Sequence, residues 1–451
     1  MAKYKAYPAY KDSGVEWLGP IPDHWKTFSG KRMFKSVRIP AYRGDEQLAA
    51  SQKYGVIPQS LMMQLNDSKV MLALKGTDSF KHVAENDFVI SLRSFEGGIE
   101  HSQHTGCVSP AYTVLKNSKP ISYGYYRYLF KCMPFIAALQ SLTDSLRDGK
   151  SINYEQFSAI DLPLTSLREQ NTIAAFLDHE TAKIDKLIEK QQQLIELLKE
   201  KRKAVISHAV TKGLNPDVPM KDSGVEWLGE VPQHWLCTKI KHIALLTPKK
   251  SKIIYTLNDK CTFIPMGKLK RNSLLTDESR LIKEVINGYT YFEDNDLLLA
   301  KVTPCFENKN IAVASGLNNG IGFGSTEIYV LRPTDRVQVN YLLYRLQEDD
   351  FMRAATGAMT GAGGLKRVPS EFLLNYPVAI PPNMEMDAII NYLNKQEVHY
   401  DLMEKQAIQA IDLLQERRTS LISAAVTGKI DVRDWNATNT QHVEEPEEAT
   451  A

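Results

Sequence analysis

Between Arg168 and Lys212, and again between Asn383 and Thr427, the chain carries no glycine or proline and is rich in Leu, Ile, Glu, Lys and Gln. That composition favours helix. Apolar or small residues recur there at the spacing of a coiled-coil seam: Ile184, Leu187, Leu194, Leu198 and Val205 in the first stretch, and Tyr400, Met403, Ala407, Ala410, Leu414 and Leu421 in the second. Gln191 and Lys201 interrupt the first seam. The pattern predicts two long helical arms. A helix of about 40 residues is roughly 60 Å long, comparable with almost two turns of B-DNA, so such a rod can act as a ruler. Gly213-Leu214-Asn215-Pro216 stops the first arm and Gly428 the second.

The remaining segments, 26–160 and 236–376, alternate short aromatic and β-branched runs with turn formers. Asp87–Arg93, Ala111–Leu115, Asp296–Lys301 and Glu327–Leu331 are the strand candidates. Two mixed α/β globules are expected, and 451 residues exceed what one core supports.

The chain is written twice. Lys11 to Gly19, Lys-Asp-Ser-Gly-Val-Glu-Trp-Leu-Gly, recurs letter for letter as Lys221 to Gly229, and each copy is followed by Pro-x-His-Trp. At an offset of 216, Asp185–Thr211 aligns with Asp401–Thr427 without a gap, with 12 of 27 positions identical, whereas the globules have diverged. A duplicated polymer tends to fold with pseudo-two-fold symmetry, which suits the reading of two segments of a duplex.

Composition narrows the class. Hydrophobic content of 43%, charged content of 24% and the lack of any apolar run of about 18 residues describe a globular chain, not one that spans a bilayer. The N-terminal residues lack a secretory pattern, and the five cysteines (Cys107, Cys132, Cys237, Cys261 and Cys305) form no CxxC pair, so a cytoplasmic setting with reduced thiols is expected. Net charge is only +2, but six basic and no acidic residues lie between Lys26 and Arg43, and nine basic residues against Asp259 lie between Lys239 and Arg271. The acidic tail, Glu444 to Glu448, reads as a disordered end.

No catalytic constellation is persuasive. Gly149-Lys150-Ser151 has Asp144 where a phosphate loop requires glycine, and the glycine clusters Gly320 to Gly324 and Gly361 to Gly364 miss the dinucleotide spacing. Asp296 with Glu307-Asn308-Lys309 offers a weak metal-nuclease pattern, the enzyme alternative. His24 and His234 each precede Trp in the repeated motif, more in the manner of a structural anchor than of a catalytic group. What remains is recognition, by phosphate contacts for affinity and base contacts for specificity, with a protein-binding scaffold as the other alternative. Charge and loop context nominate Lys31, Arg32, Arg38, Arg43, Arg93, Arg147 and Lys150 in the first globule for DNA contact. In the second they nominate Lys249, Lys250, Lys252, Lys268, Lys270, Arg271, Lys366 and Arg367.

The repeated motif, the segment Gly324-Ser-Thr-Glu-Ile-Tyr-Val-Leu-Arg-Pro333, and Leu162-Pro-Leu-Thr-Ser-Leu-Arg-Glu-Gln170 leading into Ile173-Ala-Ala-Phe-Leu-Asp178 together resemble the DNA-specificity subunit of type I restriction-modification systems. The resemblance implies an α+β fold, with two target recognition domains separated by two long helices that form an antiparallel coiled coil. Its division would be a first motif and recognition domain at 1–160, a helical region at 161–213, a second motif and recognition domain at 214–376, a helical region at 377–430 and a tail at 431–451. It further implies a subunit without catalysis or bound cofactor, in which each domain reads one half of a split target on double-stranded DNA. Two methyltransferase subunits using S-adenosylmethionine, and restriction subunits using ATP and Mg2+, would be its partners. One departure stands out: Glu169-Gln170 opens the first arm, but Glu385-Met386 opens the second, which predicts a local change in capping or packing.

Overall fold

The computed structural model describes residues 4–66, 79–92, 94–142, 152–250, 255–362 and 364–436. The chain divides into two compact units: Met1–Gln191 with Ile408–Ala451, and Gln192–Ala407. The boundary falls inside the arms, not at their ends as the linear division has it, because each unit contains one globule and a half of both helices. The arms are Leu167–Lys212 and Asn383–Val426.

Within each unit the two half-arms run antiparallel. In the first unit Arg418 pairs with Asp185 at 2.9 Å. In the second, Arg202 pairs with Asp401 at 2.7 Å and Glu397 at 2.8 Å. Arg202 and Asp401 are the residues that the 216-residue offset places on Arg418 and Asp185, so the same ion pair fixes the register in both units.

The seam differs from the sequence reading at three positions of the first arm. Leu187 and Leu194 are 46% and 37% exposed. The less exposed face of the first arm instead follows Ile184, Ile188, Gln191, Ile195, Leu198, Arg202 and Val205, an unbroken alternation of four and three. Ile188 and Ile195, each one residue further on, take the inward places, and Arg202 replaces Lys201. In the second arm Tyr400, Ala407 and Leu421 are buried, and Met403 and Leu414 are half-buried.

Each globule has a four-stranded antiparallel sheet of one order. In the first unit it runs Phe34–Val37, Thr113–Asn117, Phe88–Ile90, Glu100–His101; in the second, Ala244–Leu246, Ile328–Pro333, Leu297–Ala300, Ile311–Val313. The four strand candidates all contribute to these sheets, with ends that differ by up to three residues. A further antiparallel pair joins the residues after each motif to the approach to each arm: Lys26–Ser29 with Asp161–Leu164, and Leu236–Lys239 with Pro377–Ile380.

The frame is thus repeated, but the periphery is not. The first unit adds two small hairpin-like sheets, Lys81–Val83 with Gly106–Val108 and Leu48–Ser51 with Gly55–Pro58. The second adds a four-stranded sheet, Ser279–Leu281, Lys260–Ile264, Ile321–Gly324, Thr290–Glu293, whose two inner strands are parallel.

Candidate nucleic-acid interface

The repeated nine residues fold identically in both copies because each residue type has a local task. Strands Tyr10–Asp12 and Pro20–Pro22 pair, as do Met220–Asp222 and Glu230–Pro232. Between them the Asp12 and Asp222 carboxylates accept the amides of Gly14 and Gly224. Gly14, Gly19, Gly224 and Gly229 all have positive φ, a conformation glycine adopts without a Cβ penalty.

The tryptophan that ends each motif is buried: Trp25 is fully enclosed and Trp235 nearly so. Trp25 donates its indole N–H to Glu169 Oε1 at 3.1 Å, Tyr7 donates its hydroxyl to the same oxygen at 2.7 Å, and His24 Nε2 lies 2.9 Å from Glu169 Oε2. Thr165 also donates to that carboxylate. Burial by itself would raise the Glu169 pKa, but these hydrogen bonds outweigh it and hold the carboxyl below its ordinary value. In the second unit His234 Nε2 meets Glu385 Oε2 at 2.6 Å, while Trp235 Nε1 has no partner among the described residues. The histidines anchor the motif to the start of the arm, as their sequence context suggests.

The outer end of the other helix segment in each unit is held equivalently. Tyr125 donates its hydroxyl to Val426 O at 2.7 Å, and Tyr341, its counterpart at offset 216, donates to Val210 O at 3.0 Å. Each globule is therefore clamped to both helix segments of its unit.

On these frames the nominated cations fall into distinct groups. Lys31 and Arg32 project from the short helix Gly30–Met33, whose other side is fixed by buried Met33 and by Gly30, where a Cβ would meet Phe157 O at 2.5 Å. Arg38 follows the edge strand Phe34–Val37. Burial, and after it repulsion from the Arg38 charge, lowers the Lys81 pKa, so two cations share this region. Arg43 lies in a turn closed by the Tyr42 amide on Asp45. Lys31, Arg32, Arg38 and Arg43 are all exposed. Arg93, Arg147, Lys150 and Lys252 lie outside the described residues.

In the second unit Lys249, Lys270 and Lys366 are exposed. Others are engaged within the protein: Lys268 by Asp277 at 2.8 Å and Glu278 at 3.0 Å, Arg367 by both oxygens of Glu327, and Lys250 by the Ile286 carbonyl. Arg271 reaches Gln347 Oε1 at 3.4 Å. Lys268 and Arg367 therefore depart from the free phosphate binders that charge alone suggested.

The nuclease trio is not brought together. Asp296 is buried and held by two hydrogen bonds from Arg332, each 2.7 Å, while Lys309 is spent on Asp349 and the Gln347 carbonyl. Glu307 is exposed. Among the described residues no group of three His, Cys, Asp or Glu side chains is placed to hold a metal ion, and no helix is long and apolar enough to cross a membrane.

Sequence reasoning missed one further group. Glu348 lines a cavity of about 570 Å³ in the second unit, beside Ser207 of the first arm. Burial pushes its carboxyl up to about 7. Its counterpart at offset 216 is Cys132, so nothing in the duplication pointed to a carboxyl there.

Two α/β heads on one frame, each gripping half of a shared pair of helical arms, define a duplicated two-module protein. The comparisons with known proteins agree on its relatives. No protein-family model matches the chain. It is 33% identical over 199 residues to the specificity subunit of type I restriction enzyme EcoEI, and 36% identical over 196 residues to that of EcoAI, both from Escherichia coli. Each match takes 43% of this chain and 33% of the relative, so the chain matches about a third of the length of these curated relatives. A longer match, 22% identical over 440 residues, covers 93% of this chain and 92% of the StySPI specificity subunit of Salmonella potsdam.

Among solved structures, a chain from the structure describing complex assembly and conformational transition of the type I R-M system aligns with a TM-score of 0.66 at 12% identity, over 91% of this chain and 99% of that one. The HsdS subunit from Thermoanaerobacter tengcongensis gives 0.55 at 13%, over 91% and 98%. At these identities the likeness speaks for the fold. The homologues of this chain are specificity subunits of type I restriction enzymes, the family its motifs resemble.

Proposed function

We propose that this chain is the sequence-reading subunit of a type I restriction-modification complex, without catalysis of its own, and that each unit reads one half of a bipartite target on double-stranded DNA. The observation that carries this reading is the contrast between frame and periphery. The motif, its histidine–glutamate anchor, the order of the central sheet and the arm register recur in both units, while the outer sheets differ. A frame kept twice with two different surfaces suits a protein that presents two unlike readers in one way.

In this reading the arms set the gap between half-sites and dock two methyltransferase subunits. Equivalent surface grooves support the docking. One, of about 360 Å³, is lined by Tyr4, Leu413, Arg417, Leu421 and Ile430; the other, of about 510 Å³, by Lys201, Val205, Ala209, Leu214 and Tyr392. At offset 216 Arg417 corresponds to Lys201 and Leu421 to Val205. S-adenosylmethionine, ATP and Mg2+ then belong to the methyltransferase and restriction partners, and the assembly works on DNA in the cytoplasm.

Mapping methylated adenines after co-expression with methyltransferase subunits tests the reading. The expected result is one split motif with a fixed gap, and duplex binding that weakens steeply with salt as counterions are released. Methylation at an undivided motif, or at none, would refute it.

A further inference from the structure

In the second unit, Thr360 and Arg367 close a hairpin whose base is pinned from several directions. Thr360 and Arg367 exchange backbone hydrogen bonds of 3.0 and 2.8 Å. On the other side of the same strand the Thr303 amide donates to Lys366 O, and the Val368 amide to Lys301 O, at 3.0 and 2.9 Å. Thr303 Oγ1 donates to Gly364 O at 2.7 Å and accepts the Lys366 amide at 3.1 Å. The Arg367 guanidinium forks onto both oxygens of Glu327. Gly361, at φ +132°, has no room for a Cβ, which would stand 2.5 Å from Leu365 O.

This firmly held base presents an apolar side chain to solvent. Leu365 is 56% exposed, and Lys366 beside it is exposed without a carboxylate partner among the described residues. An apolar and a cationic side chain thus stand side by side in solvent on a base held by Lys301, Thr303 and Glu327, an arrangement that suits contact with a surface both apolar and anionic. Leucine beside an unpaired lysine matches the chemistry of a DNA groove: the apolar group packs on a thymine methyl or wedges at a base step, and the ammonium reaches a base-edge acceptor or phosphate.

We infer that the hairpin Thr360–Arg367 is the base-contacting element of the second unit. Leu365 and Lys366 touch the duplex, and Arg367, held by Glu327, positions them. This rests on the DNA-reading function proposed above. A rigid base matters because base contacts tolerate only small errors in placement, and a hairpin free to sway would lose discrimination before it lost affinity.

The test is enrichment of randomised duplexes by the full chain, comparing the parent with Leu365→Ala, Lys366→Ala, Arg367→Ala and Arg367→Lys. Leu365 and Lys366 are exposed, so their variants keep the parent's melting profile. The expected result is a loss of preference of about tenfold or more at one or two neighbouring base pairs of one half-site, with the other half-site unchanged. Arg367→Ala should loosen the same positions, with partial rescue by Arg367→Lys. Identical half-sites in parent and variants would overturn the hairpin assignment while leaving DNA reading intact. So would loss of methyltransferase association with preference preserved, which would make the hairpin a protein contact. A parent chain that enriches no sequence would remove the DNA-reading function, and the hairpin's role with it.

Discussion

The backbone N–H of Gln338 donates to the thioether sulfur of Met386 at 3.1 Å. In the first unit the equivalent donor, Ser122 N–H, reaches Gln170 Oε1 at 2.8 Å, and the same amide returns a hydrogen bond from Nε2 to Thr165 O. Methionine thus fills the place of glutamine with a weak acceptor and no donor. Met386→Gln should restore both contacts, since Pro381 stands where Thr165 does. The second unit should gain about 0.5–1 kcal/mol in denaturant unfolding, because Met and Gln have similar volume and the partners are already in place. A loss of stability would mean that the pocket has repacked around sulfur.

The Glu169 and Glu385 carboxylates occupy one position in the repeat but hold different numbers of donors. Glu169→Ala strands Tyr7, Trp25 and Thr165 in a buried site, and should destabilise the first unit by about 3 kcal/mol or more. Among the described residues Glu385 is paired with His234 alone, and it is more exposed, so Glu385→Ala should cost about 1 kcal/mol. Two-transition chemical unfolding of the full chain separates the two effects. Equal costs would show that Tyr7 and Trp25 add nothing.

Much of this frame was legible in the sequence, and the reason is locality. Arms without glycine or proline, turns needing Asp and Gly two residues apart, and strands of β-branched residues are all set by neighbours along the chain. What escaped depends on distance or on phase. Tyr7 and Glu169 are 162 positions apart. Arg367 and Lys268 look like free cations until the fold brings Glu327, Asp277 and Glu278 beside them. In the first arm Leu187 and Ile188, like Leu194 and Ile195, are adjacent apolar residues, and only packing decides which of each pair turns inward. The departure at Met386 was visible, but not that sulfur would take over the amide's role.

The arm ion pairs allow a matched comparison. Arg418 and Asp185 are both substantially exposed, so Arg418→Ala should cost the first unit about 0.5 kcal/mol and less at high salt. Arg202 is less exposed and also holds Glu397, itself 16% exposed; Arg202→Ala should cost the second unit about 2 kcal/mol. Reversing that order in urea unfolding at a common ionic strength would contradict the stated geometry.

Acid–base behaviour should expose Glu348. Its carboxyl is raised from an ordinary 4.5 to about 7 by burial, so the folded state keeps a proton that the unfolded chain releases as pH rises above 4.5. The second unit is therefore most stable with respect to this group below pH 4.5, and loses up to about 3 kcal/mol as pH climbs through 7. Glu348→Gln keeps the shape without the titration. It should unfold later than the parent at pH 8, with the gap closing toward pH 5. A gap independent of pH would place the effect in packing, not in charge.

The spacing role of the arms yields the last expectation. The seam repeats every seven residues, so inserting one heptad after Gln191 and one after Ala407 preserves the inward phase of both helices, and each unit retains its own ion pair. Seven residues lengthen a helix by about 10 Å, which corresponds to roughly three base pairs. Under the proposed function the double insertion should leave both half-sites unchanged and widen the gap between them by about three base pairs, read from methylated-adenine maps. If the gap stays as it was while methylation persists, the arms do not measure the distance, and the separation of the readers must be set by the partner subunits.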